Sequence, residues 1–172
     1  MESLAKQYQQ MHANPKRFHG HSIKRHLTEI AELVRVTEAE TLLDYGCGRG
    51  HQYLVRRYHM LWGGILPHCY DPGVMGMSTL PDGPFDGVIC NDVMEHVPEE
   101  EVAATLDAVF SLATRFVFLG VSTSPSHKTL PDGRDCHVTI RERAWWQQRV
   151  REAAGRSAKD TSYRLSFTED GE

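Results

Sequence analysis

An α/β fold built on a doubly wound, mostly parallel sheet is what this sequence predicts, on three observations. Short apolar runs of strand length alternate with stretches whose apolar residues recur at the helical period of 3.6. The first such run passes through Leu42-Leu43-Asp44-Tyr45-Gly46-Cys47-Gly48-Arg49-Gly50, an acidic residue followed by three glycines spaced two apart. The chain of 172 residues is long enough for one domain that buries roughly two thirds of its unfolded surface.

The elements follow in order. Residues 1–21 read as a polar segment lying over the site, 22–167 as the single domain, and Thr168 to Glu172 as a disordered tail. Ser22 is a candidate N-cap for a helix whose apolar face uses Ile23, Leu27, Ile30, Ala31 and Val34. Thr41 to Tyr45 is the first strand, Gly50 to about Tyr58 the helix after the glycine loop, and Ile65 to Tyr70 the second strand. Phe85 to Cys90 reads as a strand buried on both faces. Glu99 to Leu112 is a helix with Val102, Leu106, Val109 and Phe110 inward. Arg115 to Val121 is a strand, Glu142 to Ala154 a helix, and Ser162 to Phe167 a last strand of alternating polarity.

The glycine loop points to a ligand. Without a Cβ, Gly46, Gly48 and Gly50 can take positive φ and let main-chain N–H groups approach a bound molecule. A dinucleotide fingerprint needs Gly-x-Gly-x-x-Gly, but the third glycine comes one residue early and His51 holds its place. No Gly-x-x-x-x-Gly-Lys-Ser/Thr is present, which excludes a P-loop. Asp71, after the second strand, is placed as a carboxylate that could accept hydrogen bonds from both hydroxyls of a ribose. Taken singly, the glycines would also serve a tight strand-to-helix turn, and Asp71-Pro72-Gly73 a β-turn.

Together, Asp44-x-Gly46-x-Gly48-x-Gly50, Asp71 and the run Phe85-Asp86-Gly87-Val88-Ile89-Cys90-Asn91-Asp92-Val93-Met94-Glu95-His96-Val97-Pro98 resemble three motifs of class I S-adenosylmethionine-dependent methyltransferases, in family order. The resemblance covers about residues 20 to 150. It implies a Rossmann-like sheet with S-adenosylmethionine as cofactor. Asp44, Tyr45, Gly46, Cys47, Gly48 and Gly50 would form its loop, Asp71 and Pro72 its ribose site, and Asn91 and Asp92 the strand end facing the methyl group. The chain departs from the family in having only residues 72–84 where a helix and a third strand are usual, and in leaving room for at most one strand after the last helix. The third-strand region and the C-terminal hairpin are therefore expected to be reduced, with a homodimer covering the open edge. Asp82 is the residue at hand for adenine, though Pro81-Asp82-Gly83 also reads as a turn.

Chemistry falls to the histidines, of which there are ten. Asp92-x-x-Glu95-His96, with His137 further on, is similar to the Glu-x-x-Glu-His pattern of metal-assisted O-methyltransferases acting on small-RNA 3′ ends and in ubiquinone biosynthesis. That resemblance implies a divalent cation held by Glu95, His96 and His137. Metal-free members of the family also carry Glu-His here, which makes His96 or His137 the general base and Glu95 its neighbour. His12, His19, His21 and His26 crowd the N-terminal part, where Tyr8, Met11, His12, Phe18, His19 and Gly20 could lie over the cofactor. The loop from Ser122 to Arg134 carries His127, Lys128 and Arg134, which suit a phosphate or carboxylate on the acceptor. Trp145 and Trp146 cannot both face the core of one helix, so one is free to cover the acceptor.

The expected activity is methyl transfer to an oxygen or nitrogen of a small-molecule or nucleotidic acceptor. Two other readings stay open, an S-adenosylmethionine lyase or hydrolase and a non-catalytic cofactor-binding subunit. A net charge of −4 argues against a general electrostatic grip on nucleic acid. Cys47, Cys69, Cys90 and Cys136 form no Cys-x-x-Cys pair. With no membrane-length apolar run and no secretory signal, the chain reads as soluble and cytoplasmic.

Overall fold

The structure is a computed structural model that describes residues 2–14 and 21–168. Five strands, β1 (Leu42–Tyr45), β2 (His68–Tyr70), β3 (Phe85–Asn91), β4 (Ala113–Ser122) and β5 (Ser162–Thr168), form one sheet in the order β2-β1-β3-β4-β5. Every pairing is parallel, so the sheet is all-parallel, consistent with a Rossmann-like fold. The chain runs outward from β1 to β2 and then crosses back to β3 on the other side of β1. Between the carboxyl ends of β1 and β3 lies the topological switch point, where open α/β sheets leave a crevice.

Alternation along the strands supplies two cores. Leu43, Val88, Cys90, Val117, Leu119 and Val121 face α4 (Glu99–Leu112) and α5 (Arg143–Arg156), packing with Leu106, Phe110, Trp146 and Val150. Leu42, Ile89, Phe116 and Phe118 face the other way, against Ile30, Leu33 and Val34 of α2 (Leu27–Thr37) and against Tyr53 and Trp62. A central parallel strand buried on both faces must be apolar at nearly every position, as β3 and β4 are.

The structure differs from the expectation where backbone conformation overrides the apolar pattern. The helix after the glycine loop is one turn, α3 (His51–Leu54), because Arg57 takes a left-handed φ of 56° and a separate 3₁₀ turn, Tyr58–Trp62, follows. The second strand starts only at His68, since Gly63 and Gly64 have φ above 80° and Pro67 has no N–H to give a ladder. Residues 71–84 hold no helix or strand, so β2 is the last strand at that end of the sheet. Helix α2 is preceded by a 3₁₀ turn, Ser22–His26, so its N-cap is His26 and not Ser22.

The N-terminal part contains a helix that the sequence reading left undefined, α1 (Leu4–Ala13). Its Leu4, Tyr8 and Met11, four and three apart, share a face and pack on Leu130, Cys136 and Val138 in a third small cluster. Gln7, 1% exposed, donates to Asp132 Oδ2 at 2.9 Å and accepts from the Asp132 N–H at 3.3 Å. Phe18, His19 and Gly20 lie outside the described residues. So do 169–172 of the expected tail, while Thr168 closes β5. Among the described residues, no helix is long and apolar enough to cross a membrane.

Candidate functional site

One cavity runs along the carboxyl edge of the sheet and takes lining residues from every strand end, Asp71 after β2, Gly46 after β1, Asn91 of β3, Ser122 of β4 and Thr168 of β5. At about 4.8 Å per strand the slot is roughly 19 Å long. Its volume is ≈ 230 Å³, against roughly 10–15 Å³ for a single water on the same measure. That is room for organic ligands.

Under β1, Asp44 Oδ2 accepts from the Tyr53 hydroxyl at 2.7 Å and from Gln52 Nε2 at 3.0 Å. Gln52 Nε2 also donates to the Cys47 carbonyl at 2.8 Å, which ties the glycine loop to α3. The Gly46 and Cys47 N–H groups donate to the Tyr70 carbonyl at 2.7 and 3.1 Å, which ties it to β2. Gly46, Gly48 and Gly50 all have positive φ, at 89°, 55° and 66°. A Cβ on Gly46 would run into Val93 Cγ2, whereas one on Gly48 would meet only His12 Cε1, at 3.7 Å. Gly46→Ala and Gly48→Ala should each cost about 1–2 kcal/mol for the left-handed backbone. Only the first adds a collision. Thermal unfolding should therefore rank Gly46→Ala clearly below Gly48→Ala, and equal melting temperatures would refute this packing.

Asp71 is 8% exposed. Its Oδ2 accepts from the Gly48 N–H and its Oδ1 from the Gly73 N–H, each at 2.8 Å, so one carboxylate joins the glycine loop to the turn after β2. His12 of α1 sits over it, with Nε2 4.0 Å from Oδ2. Burial lowers the His12 pKa, opposed by the Asp71 charge.

At the end of β3, Asn91 Nδ2 donates to Ser22 Oγ at 3.1 Å, and its buried Oδ1 has no hydrogen-bond partner among the described residues. Gly120 on β4 makes space for that amide, since a Cβ there would collide with Asn91 Oδ1. Asp92, which follows, is held at φ 53°, a conformation that costs a non-glycine residue of order 1–3 kcal/mol and is concentrated at functional sites.

Beyond β3 stand two imidazoles with ring centroids 4.9 Å apart, those of His96 and His137. His96 Nδ1 lies 2.9 Å from the Cys136 carbonyl and His137 Nδ1 2.6 Å from the Ser124 carbonyl. A carbonyl oxygen can only accept, so each Nδ1 carries the proton and each Nε2 is left with its lone pair. The Tyr8 hydroxyl donates to the same Cys136 carbonyl at 2.6 Å and lies 3.0 Å from His96 Nδ1. Burial, then the neighbouring His137, push the His96 pKa down to about 4.

Two buried groups at this edge titrate in opposite senses. Burial raises the Asp44 pKa to about 6 from 3.8, so the folded state binds its proton more tightly than the unfolded chain, and the stability it contributes is lost as pH rises from about 4 through 6. For His96, with its pKa lowered from 6.5, the contribution is present above 6.5 and lost as pH falls toward 4. Shifts of this size are worth about 3 kcal/mol each. Asp44→Asn should therefore steepen the loss of stability between pH 6 and 4, and His96→Gln should flatten it. Urea midpoints across that range check both directions.

The cavity thus brings together Asp44, Gly46, Cys47, Gly48, Asp71, Pro72, Asn91, Asp92, His96 and His137. Three anticipated residues do not line it. Tyr45 packs against Tyr70, centroids 4.9 Å apart, and Gly50 serves as the N-cap of α3. Glu95 is fully buried with Oε1 accepting from the Ser122 N–H at 2.8 Å, and burial, then Asp92, push its pKa well above the usual range. Burial thus favours the protonated form of Glu95, whose Oε1 ties the turn after β3 to the end of β4. Among the described residues, no group of three His, Cys, Asp or Glu could hold a metal ion, and the trio Glu95, His96 and His137 does not assemble as one. His127 and Asp82 are exposed, Arg134 is paired with Asp132, Trp146 is in the core, and Trp145 packs beside Arg141 and Arg149.

Sequence reasoning had pointed to His12 and Tyr8 only as part of a covering segment. Their contacts with Asp71 and His96 belong to a helix signalled by the Leu4, Tyr8, Met11 spacing. Comparison with protein-family models, curated proteins and solved structures returns no match.

Proposed function

We propose that this chain is an S-adenosylmethionine-dependent methyltransferase of the class I type, transferring a methyl group to an oxygen or nitrogen of a small or nucleotidic acceptor. The observation that carries the reading is Asp71, a buried carboxylate after β2 tethered to the Gly48 amide, in a cavity that continues past the switch point to an imidazole pair. The residues fit the cofactor. Asp71 offers acceptors to a ribose diol, and the glycine loop offers main-chain approach.

Bound there, S-adenosylmethionine would supply an activated methyl group on its sulfonium. The protein's part is mostly alignment, as expected for an activated donor. Asp71 and the loop fix one end of the slot. At the other, His96 or His137 takes the acceptor proton on Nε2, its tautomer set by the Cys136 or Ser124 carbonyl. Glu95 holds the two strand ends and is not a base. No step is assigned to a metal, since Glu95 does not face the cavity.

S-Adenosylhomocysteine at one hundred times its Kd should stabilise the fold by about 2.7 kcal/mol, read as a rise in melting temperature, while NAD should not. Gly48→Val should abolish that response and keep native circular dichroism. No stabilisation by S-adenosylhomocysteine would end this reading, and methylthioadenosine formed without an acceptor would assign a lyase instead. Turnover with an identified acceptor should survive a divalent chelator. Its loss on chelation would restore the metal version.

A further inference from the structure

Sulfur gathers on one flank of the glycine loop. Cys47, between Gly46 and Gly48, is 3% exposed, and its Sγ lies 3.6 Å from Met77 Sδ and 3.2 Å from the Gly48 carbonyl oxygen. Cys69 of β2 comes to the same place. A Cβ on Gly50 would meet Cys69 Sγ at 3.7 Å and the Met77 methyl carbon, Cε, at 3.6 Å, so the two side chains converge over one point. Hydrogen bonding with the Cys69 thiol, then burial, raises the Cys47 pKa, which keeps its proton on at neutral pH. Lone pairs outnumber protons in this cluster. Each thiol has one proton and Met77 none, against three sulfurs and a carbonyl oxygen that can give an electron pair. Cys69 and Met77 are half-buried, so the cluster is not sealed from solvent.

We propose that Cys47, Cys69 and Met77 form a binding site for Cu(I), held by two thiolates and a thioether. Donor type favours that ion, because thiolate and thioether sulfurs select Cu(I), whereas zinc sites draw on thiolate, imidazole and carboxylate. Spacing agrees. Two sulfurs bonded to one ion at about 2.3 Å stand about 3.8–4.0 Å apart at tetrahedral or trigonal angles, so the 3.6 Å between Cys47 and Met77 needs only a small adjustment. Binding releases the two thiol protons to solvent and changes no oxidation state, so affinity should rise with pH. The trio takes its third donor from methionine, which sets it apart from the His, Cys, Asp and Glu groups that the described residues do not form. An ion there would join the glycine loop, β2 and the turn after it, where the Met77 carbonyl accepts from the Asp71 N–H at 2.9 Å. It would brace the main chain that carries Asp71. The site stands on these sulfurs and not on the methyltransferase reading.

The test is an anaerobic titration of the full chain with Cu(I) in competition with the colorimetric chelator bathocuproine disulfonate, in wild type, Cys69→Ser, Met77→Leu and Met11→Leu. Wild type should take one equivalent, and its copper X-ray absorption spectrum should show sulfur neighbours at about 2.3 Å. Cys69→Ser should lower the affinity more than about a hundredfold and Met77→Leu at least about tenfold, since even residues that only support metal ligands are worth ten- to a hundredfold. Met11 Sδ lies 3.8 Å from a different thiol, Cys136 Sγ, so Met11→Leu should leave the affinity unchanged. Circular dichroism checks each variant, and should Cys69→Ser unfold, Met77→Leu carries the comparison. Failure of wild type to compete with the chelator, nitrogen in place of sulfur around the ion, or equal affinity in wild type, Cys69→Ser and Met77→Leu overturns the proposal.

Discussion

Asp71→Ala is expected to weaken S-adenosylhomocysteine binding by about 1.5–3 kcal/mol, ten- to a hundredfold or more, the range for hydrogen bonds to a charged group. Two losses combine in that number. The ribose diol loses its acceptor, and the Gly48 and Gly73 N–H groups lose the oxygens that hold the glycine loop to the turn after β2. Asp71→Asn separates them. An asparagine keeps one oxygen to accept from one of these amides but presents an NH₂ to the other, so it should bind less tightly than wild type and unfold at a higher temperature than Asp71→Ala. Calorimetry that finds wild-type affinity in Asp71→Ala would remove the ribose assignment and leave Asp71 as a loop tether.

The reason Asp71 could be read from the sequence also explains what could not. The glycine loop, Asp71 and the strand ending at Asn91 each sit where a parallel strand meets a loop, and local pattern fixes those positions. The helices Glu99–Leu112 and Arg143–Arg156 were legible for a similar reason, since Val102, Leu106, Val109 and Phe110 in the first and Trp146, Val150 and Ala153 in the second recur at helical spacing and are buried. Glu95 shows the limit. Next to His96 in sequence, it points into the protein because residues 94–96 form a 3₁₀ turn, and adjacent residues on a helical turn face different ways. Tyr8 and His12 were obscured differently. A ten-residue helix is marginal alone, and α1 is held by contacts with Asp132, Leu130 and Cys136, more than a hundred residues away in sequence. Only a tertiary contact could show that the covering segment reaches both Asp71 and His96. The all-parallel sheet was one step beyond the expectation for a like reason, since alternating polarity in Ser162 to Phe167 fixes a strand but not its direction, which α5 sets by acting as a crossover.

Substitution of His96 by alanine should lower turnover by about two to four orders of magnitude, the usual worth of a positioned general base, with S-adenosylhomocysteine affinity nearly unchanged. His137→Ala should do the same if His137 is the base, and less if it only orients the acceptor, so the larger of the two losses names the residue. Glu95→Gln is the control, because a buried side chain hydrogen-bonded to the Ser122 N–H and turned away from the cavity should change stability more than rate. The pH profile adds an independent reading. With its pKa near 4, His96 is an unprotonated base throughout the neutral range, so kcat should be flat from about pH 8 down to about pH 5 and fall only below that. A break well above pH 5 instead would take the role away from His96. Full activity in both alanine variants would place the chemistry elsewhere on the carboxyl edge, and Asp92, held at a strained φ of 53° at the same cavity, is the next residue to replace.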